Sequence, residues 1–479
     1  MSTSQLPCAS GVNPLHGPNG SRRYRTRPPC LRQAAGRPAP TRYKALRQVG
    51  VASILASASS DPVQRRLRVF IAAPGKQLFT SIRDPRLRVY PGDFAGVPTP
   101  DLVVYPCSQH EGLAGLQGDP PPSVLERIRS GKARVVFDAS GEGHPHSPAL
   151  TAALHGLLER LGAPRGRAVY ITQNRTWNEA YLAHCARDGP GRPMSVLTYD
   201  FWIRRFFAPF EATGEALLRK RRRAFTARTE SRKRRFISLN WSPRPSKVFF
   251  LLRVMRDGLW DRGYISFGGF AQLQAMGKGG LPQLNKAMRA LPGFEDLYAE
   301  LLPYLKRLDA RGRVQLGDVR HAAATDETLP QLVDDVPLAE YGQSWFSVVT
   351  ESEMWDTPAR ITEKPFKPLV NFHPIVVFGN PGALRLIRGL GFETFPEVFD
   401  ESYDEEPDPR RRFEMAYGAF ARLCRMEPAQ LAQLEARIAD KLDHNARFGL
   451  TELPRLYREE IDAALIAELA ETRPHMPQP

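Results

Sequence analysis

Cysteines are few in this sequence, and no two of them lie close together. The five cysteines are widely separated and form no Cys-x-x-Cys motif: Cys8, Cys30, Cys107, Cys185 and Cys424. This pattern argues against a disulfide framework and a structural zinc site, and it favours a reducing, cytoplasmic location. The sequence also lacks any uninterrupted apolar run near the roughly 20 residues that a membrane-spanning helix needs.

Acidic residues are absent from the first part of the chain. Residues 1–60 contain nine arginines or lysines, no aspartate or glutamate, and much proline, glycine and serine. Such a segment buries little apolar surface, so we predict a disordered basic tail, either an interaction segment or sequence without a function. A second basic run, 219–235, has ten cations in seventeen residues and one acid, Glu230, and there we predict an interdomain linker.

The charge balance predicts an anionic partner. The 479 residues carry a formal net charge of +16. This excess fits a nucleotide, a nucleic acid or an acidic membrane surface, and charge alone does not choose among them. Because no known DNA- or RNA-binding motif is present and aromatic residues do not alternate with the basic runs, the sequence argues against a nucleic-acid partner.

Short β-branched runs alternate with helix-length stretches in two regions of the chain. The strands predicted in the first region are 66–75, 101–107, 133–143, 168–174 and 194–200, with a helix at 147–162. Those predicted in the second are 234–241, 263–270, 345–351 and 374–379, with helices at 247–260, 362–371, 383–391, 407–424 and 428–448. This alternation predicts an α/β fold of two Rossmann-like, doubly wound domains facing across a cleft, 61–218 and 236–425, followed by C-terminal helices at 426–479.

Two segments of the second region place cations where predicted strands end and helices begin. In ITEKPFKPLVN we predict that Thr362 caps a helix whose first turn holds Glu363 and Lys364. A helix N-terminus and a lysine attract phosphate, and a carboxylate suits the two hydroxyl groups of a ribose. Arg244 and Lys247 follow the strand at 234–241 in the same way. The alternative for each segment is an ordinary helix start with solvated charges.

The second region resembles a known family. The order WFSVVTES, EMWDTPAR, ITEK and HPIVVFGNPG is similar to the donor-binding domain of GT-B glycosyltransferases, and most similar to the α-1,3-fucosyltransferase type, over about 234–400. The resemblance implies that Glu363 binds the ribose and that Lys364 contacts phosphate. It also implies a donor site that includes Arg244, Lys247, Glu351 and Arg360.

Two departures from the family pattern leave the donor open. Ser352 stands where the family has asparagine, and Arg360 stands where it has tyrosine. A GDP-sugar is favoured and a UDP-sugar remains an alternative. The family uses basic residues instead of a bound metal, so no metal and no bound cofactor are expected; Asp334 and Asp335 lack the further ligands of a metal cluster.

The glycine-rich segment VVFDASGEGHPH is the best source of a catalytic base in the first region. Glycosyl transfer needs a group that takes a proton from the acceptor hydroxyl. We choose Glu142 first and Asp138 second; His144 and His146 share the segment, and the alternative for Asp138 is a capping role. In ITQNRTWNEAY, Asn174 and Trp177 are candidates for acceptor binding, Trp177 by stacking on a sugar ring or else as a core residue.

These observations predict a metal-independent glycosyltransferase that moves a sugar from a nucleotide sugar to a hydroxyl group. The expected acceptor is a surface glycan or glycolipid, with the basic segments in peripheral contact with an acidic membrane. One alternative is a glycosyltransferase that modifies protein or nucleic acid. Another is a basic nucleic-acid-binding protein without enzymatic activity.

The acidic run 399–406 is expected to be a solvated loop, or else a contact for a basic acceptor.

Overall fold

The structure is a computed structural model, and it describes residues 66–72, 78–82, 84–91, 99–107, 120–141, 143–188, 192–227, 232–275, 279–316, 337–354 and 359–471. The predicted basic tail at 1–60 lies outside these residues. Within them, no helix is both long and apolar enough to cross a membrane.

The first sheet contains six parallel strands in the order β2-β1-β3-β4-β5-β6. Their core positions are continuous buried runs such as Val103–Val104 and Val135–Val136, because helices cover both faces. The strands are β1 (Leu67–Ile71), β2 (Leu87–Pro91), β3 (Leu102–Pro106), β4 (Arg134–Ala139), β5 (Val169–Thr172) and β6 (Ser195–Thr198). The helices are α1 (Leu78–Ser81), α2 (Pro122–Arg129), α3 (Pro148–Leu161), α4 (Trp177–Asp188), α5 (Phe201–Phe207) and α6 (Phe210–Thr226), with a 3-10 turn at Arg165–Arg167.

The second sheet contains four parallel strands in the order β10-β9-β7-β8. They are β7 (Phe236–Asn240), β8 (Gly263–Phe267), β9 (Phe346–Thr350) and β10 (Ile375–Phe378). Its helices are α7 (Pro245–Arg256), α8 (Ala271–Ala275), α9 (Gly280–Arg289), α10 (Glu295–Arg311), α11 (Leu338–Gly342), α12 (Phe366–Leu369) and α13 (Ala383–Gly389), with 3-10 turns at Trp260–Arg262 and Glu401–Glu405.

The C-terminal helices run from the second sheet back to the first. They are α14 (Pro409–Arg425), α15 (Pro428–Arg437), α16 (Ala439–Arg447), α17 (Leu453–Leu456) and α18 (Asp462–Ala470), with π-helical turns at Phe448–Glu452 and Tyr457–Ile461. The carboxylate of Asp462 accepts hydrogen bonds from the Tyr199 hydroxyl at 2.6 Å and from Arg204 Nε at 2.9 Å. Arg134 of β4 donates to the carbonyl of Glu468 at 2.7 Å, where α18 ends. These buried bonds fix the last helix against the first sheet.

The predicted fold class is confirmed: two parallel sheets with helices and a helical C-terminus form an α/β structure. Strand β2 was not predicted, because it is a half-exposed edge strand and lacks a continuous β-branched run. Part of the predicted linker, 219–226, is the last part of α6. There Arg221 is buried and donates to the carbonyl of Val370 at 3.3 Å, so the basic run is not uniformly solvated.

Candidate functional site

The candidate site lies where the strand order of the second sheet reverses. β7 and β9 are neighbours, yet β8 and the next elements lie between them in the chain. Open parallel sheets bind ligands at such a switch point, outside the carboxyl ends of the strands. Arg244 and Lys247 follow β7, and Glu351 follows β9 directly. The topology therefore brings together predicted donor-site residues that are more than a hundred positions apart in the sequence.

Local sequence sets the geometry at the end of β7. Pro245 occupies the first turn of α7, where its missing N–H group costs nothing. Arg244 is the extended N-cap, and no side chain caps the helix. The hydroxyl of Ser246 donates to the carbonyl of Glu351 at 3.2 Å, which ties the start of α7 to the end of β9. Lys247 thus enters the switch point from the first turn of a 12-residue helix.

The side chain of Lys247 is largely buried. Its exposed fraction is only 4%. Burial is the main reason that its pKa falls to about 7, and the positive charges of Lys364 and Arg244 lower it as well. The carboxylates of Glu351 and Glu363 have the opposite effect on this pKa but do not restore it. In the part of the chain that the structure describes, no side chain forms an ion pair or a hydrogen bond with its ammonium group.

Glu351, Thr362 and Lys364 form a tight polar group beside Lys247. The Glu351 carboxylate is buried and accepts bonds from the Thr362 hydroxyl at 2.7 Å and the Thr362 N–H at 3.2 Å. The Lys364 ammonium donates to the hydroxyl of Thr362 at 2.8 Å, to that of Ser352 at 3.2 Å, and to Glu351 at 3.4 Å. The hydrogen bonds of Glu351 and Lys364 therefore fix the conformation of residues 362–364. They also hold the positive charge of Lys364 in one position.

The predicted helix at 362–371 is wrong in its start. α12 begins only at Phe366, after Pro365. The reason is local: the residue before a proline is disfavoured in the helical region, which keeps Lys364 out of the helix. The hydroxyl of Thr362 is also committed to Glu351. Glu363 and Lys364 consequently precede a helix of four residues, and no helix dipole can be assigned to this segment.

No side chain of the described residues donates a hydrogen bond to the carboxylate of Glu363. It is half-buried. Although desolvation raises the pKa of Glu363, the charges of Lys364, Lys367 and Lys247 outweigh that effect and lower the pKa below its usual value. The carboxylate is therefore ionised and able to accept hydroxyl hydrogen bonds. Sequence reasoning missed Lys367, although its spacing of three residues from Lys364 was a signal.

Arg360 lies between the two halves of the molecule. It is 9% exposed, and its guanidinium group pairs with Glu353, with Nε at 3.1 Å from a carboxylate oxygen. A β-carbon placed on Gly143 would lie only 2.0 Å from Arg360 Cδ, so the two residues are in close contact. The N–H of Arg175 also donates to the carbonyl of Ala359 at 3.2 Å. Loops after β4 and β5 thus meet the loop after β9, as expected for sheets that face each other.

The two candidate bases have different outcomes. Glu142 lies outside the described residues. Asp138 is 5% exposed; one carboxylate oxygen accepts from the N–H of Leu78 at 2.9 Å, and the other accepts from the N–H and hydroxyl of Ser140 at 3.0 and 2.6 Å. Desolvation raises its pKa despite these bonds. Both oxygens therefore fasten the first sheet's loops, as in the capping alternative, and a catalytic role for either residue stays a prediction.

The acceptor candidates are buried beside the first sheet. Asn174 accepts from Thr176 and donates to the carbonyl of His144 at 3.0 Å, so its amide orders the turn before α4. Trp177 has no exposed surface, and its ring stacks on Tyr170 with centroids 4.1 Å apart and on Tyr181 at 5.1 Å. The packing therefore places Trp177 in the core, the alternative considered from the sequence, and gives no free face for a sugar.

The loop after β10 is held by a residue that the sequence did not single out. Arg412 of α14 is 2% exposed and donates to the carbonyls of Gly379 at 3.0 Å, Glu406 at 2.6 Å and Met354. The nearby acidic run is folded, not a solvated loop: Asp404 accepts from two N–H groups at the start of α13, at 2.8 and 3.1 Å. That capping role, also not predicted, removes Asp404 from the candidates for acceptor contact.

Among the described residues, no three histidine, cysteine, aspartate or glutamate side chains are grouped as metal ligands. Asp334 and Asp335 lie outside those residues.

Comparisons with known proteins give one distant structural likeness. No protein family profile matches the sequence, and no curated protein matches it. A crystal structure of an α1,3-fucosyltransferase is similar over 83% of this chain and 96% of its own, with 11% sequence identity and a TM-score of 0.31. A likeness at this level carries no argument about the reaction.

Proposed function

We propose that this protein is a glycosyltransferase that uses a nucleotide sugar and transfers the sugar to a hydroxyl group without a bound metal. The observation that carries the proposal is Lys247, a largely buried lysine at the switch point of the second sheet with which no described side chain forms an ion pair, and whose pKa is lowered further by the charges of Lys364 and Arg244. A buried charge is costly unless it is paired, so an anion is the natural missing partner. A diphosphate fits, since Arg244 and Lys364 lie close enough to lower the pKa of Lys247.

The remaining groups of the site suit the rest of a nucleotide sugar. Glu363 is ionised and half-buried, as a ribose-binding carboxylate should be. Lys367 lies close enough to Glu363 to lower the pKa of its carboxyl group. In the proposed reaction, the bond between the sugar and the diphosphate breaks while the acceptor oxygen bonds to the sugar carbon. Arg244, Lys247 and Lys364 stabilise the negative charge that develops on the departing diphosphate, the role a metal would otherwise have.

The proposed base is Glu142, with Asp138 second. The next residue in the chain, Gly143, contacts Arg360 of the donor half, which supports a base in this segment. It would take the proton of the acceptor hydroxyl as the new bond forms. A glycan or glycolipid is the proposed acceptor, a GDP-sugar is the favoured donor, and peripheral contact with an acidic membrane remains part of the proposal.

The decisive experiment is a donor screen that needs no known acceptor. Thermal shift and slow donor hydrolysis are measured with GDP, UDP, their sugars and inorganic pyrophosphate, on the wild-type chain and on Lys247→Met. We expect one nucleotide class to raise the melting temperature of the wild type and not that of the variant. If no nucleotide or nucleotide sugar shifts the wild type, the proposal is wrong. Stabilisation by pyrophosphate alone, without any preference for a nucleoside, would also contradict it.

A further inference from the structure

Among the described residues, two positions of the first sheet's loops contact the loop that leads into the proposed donor site. Ala359 accepts a hydrogen bond from the N–H of Arg175 at 3.2 Å. The next residue, Arg360, packs against Gly143. Thr362, Glu363 and Lys364 follow within four positions. The backbone before the donor residues is thus held by residues from the other sheet.

Both contacts are made by residues that are themselves held by hydrogen bonds or by close packing. The guanidinium group of Arg175 donates to the carboxylate of Asp200 at 2.6 Å, and that carboxylate is 4% exposed at the start of α5. Asn174, just before Arg175, is buried and bonded within its own turn. Gly143 is buried, and no larger residue fits at its position without moving Arg360. The first sheet is therefore able to set the position of the loop and does not merely touch it.

On the other side, Arg360 is tied to the donor half. Its guanidinium group pairs with Glu353, two residues after the buried Glu351. Glu351 in turn binds Thr362 and Lys364. A displacement of Arg360 is thus transmitted along two routes: the backbone through Ile361, and the Glu353–Glu351 segment.

The geometry points to Gly143 and Arg360 as positioning residues. Because Gly143 has no side chain, Arg360 can pack against it. This contact between the loop after β4 and the loop after β9 fixes the position of the proposed donor-binding segment 362–364. The inference rests on the proposed nucleotide-binding function of that segment. Neither Gly143 nor its contact needs to touch the donor. The consequence is that donor affinity depends on a residue of the first domain.

The test is a pair of alanine substitutions in one loop, measured by calorimetric titration with the nucleotide that the donor screen identifies. In Gly143→Ala the new β-carbon conflicts with Arg360 Cδ, so we expect nucleotide affinity to fall by about tenfold or more, since small misplacements of binding groups have effects of this order. In Gly141→Ala nothing lies within 4 Å of the new β-carbon, so affinity should not change. Gly141→Ala should also leave the melting temperature of the ligand-free protein unchanged.

A double-mutant cycle separates positioning from general damage. Arg360→Ala removes the side chain with which the new β-carbon collides. The double variant Gly143→Ala/Arg360→Ala should therefore bind nucleotide no more weakly than Arg360→Ala alone, and this non-additivity identifies the contact. Should Gly143→Ala fail to fold, the same rescue is read from the folding of the double variant.

The outcomes distinguish this inference from the function on which it rests. A wild-type chain that binds no nucleotide contradicts the proposed function itself. A wild-type chain that binds nucleotide, together with an unchanged Gly143→Ala or with fully additive effects in the cycle, overturns the positioning role and leaves the proposed function standing.

Discussion

The hydroxyl group of Thr362 donates a 2.7 Å hydrogen bond to the carboxylate of Glu351, which directly follows β9 and lies 11 residues earlier in the chain. The same hydroxyl accepts a 2.8 Å bond from Lys364. One side chain thus joins the end of β9 to the segment proposed to bind the ribose and the diphosphate. The site depends on this bond more than on any helix start.

We predict that Thr362→Val destabilises the protein by about 1–3 kcal/mol, because it leaves a buried carboxylate without its shortest bond. Urea unfolding measures this loss, and nucleotide affinity should fall with it. The matched control is Thr213→Val on α6, where an exposed hydroxyl bonds to the carbonyl of Pro209 and a change within about 0.5 kcal/mol is expected. Equal effects of the two substitutions would contradict the role given to Thr362.

Replacing Lys247 by an uncharged residue should stabilise the ligand-free protein. We predict that Lys247→Met raises the free energy of unfolding of the ligand-free chain at pH 6 by on the order of 1–4 kcal/mol, as is found when buried charges give way to apolar groups. The same variant should lose nucleotide binding. Such a trade between stability and activity is typical of functional sites.

Chemical denaturation at pH 6 and calorimetric titration check both halves of this prediction. The control is Lys286→Met, at an exposed position of α9, which should change neither quantity by much. A less stable Lys247→Met chain would mean that the lysine serves the fold, and this result would contradict an anion site at Lys247.

The pH dependence of binding should follow from Lys247. Its pKa is about 7 in the folded chain, against 10.5 for an ordinary lysine, so the unfolded chain binds more protons between these two values. Stability of the ligand-free protein should therefore rise as the pH increases from about 7 to 10.5, and the penalty is complete below 7. A bound diphosphate needs the charged form, so affinity should fall above pH 7, by at most about tenfold per pH unit.

Titrations with a nucleotide sugar at pH 8, in two buffers of different ionisation enthalpy, measure the proton taken up on binding. We expect uptake of up to one proton by the wild type, because Lys247 is mostly uncharged at pH 8 before the nucleotide binds. Binding without proton uptake at pH 8 would show that Lys247 is already charged or lies outside the site.

Much of the fold was predictable because buried parallel strands leave a local signal. The β-branched runs of β3, β4, β9 and β10 marked their own positions. That Arg244 and Lys247 lie at the same sheet edge as Glu351 was also predictable, since parallel strands end at one edge of a sheet. What local patterns could not show was pairing at a distance, such as Arg175 with Ala359 or Asp462 with Tyr199.

At three positions the structure shows constraints that the local sequence did not reveal. Trp177 and Asp138 were chosen because their residue types suit chemistry, but tertiary packing uses the ring in the core and the carboxylate as a backbone acceptor. The helix predicted from Thr362 was wrong because a side-chain bond to Glu351 and the following Pro365 oppose it. In each case a partner that is remote in sequence, or a steric rule, overrides the local preference.

The last prediction concerns Arg412, whose guanidinium group serves carbonyls from three separate stretches of chain at Met354, Gly379 and Glu406. A planar fork of five donors reaches these directions together, and an ammonium group cannot. We therefore predict that even Arg412→Lys lowers the free energy of unfolding by about 2–4 kcal/mol, because buried carbonyls lose their donors. Urea unfolding tests this against Arg411→Lys, the adjacent and 73% exposed position, which should change stability little. If Arg412→Lys proves as mild as its neighbour, the loops at the ends of β9 and β10 are held by other contacts.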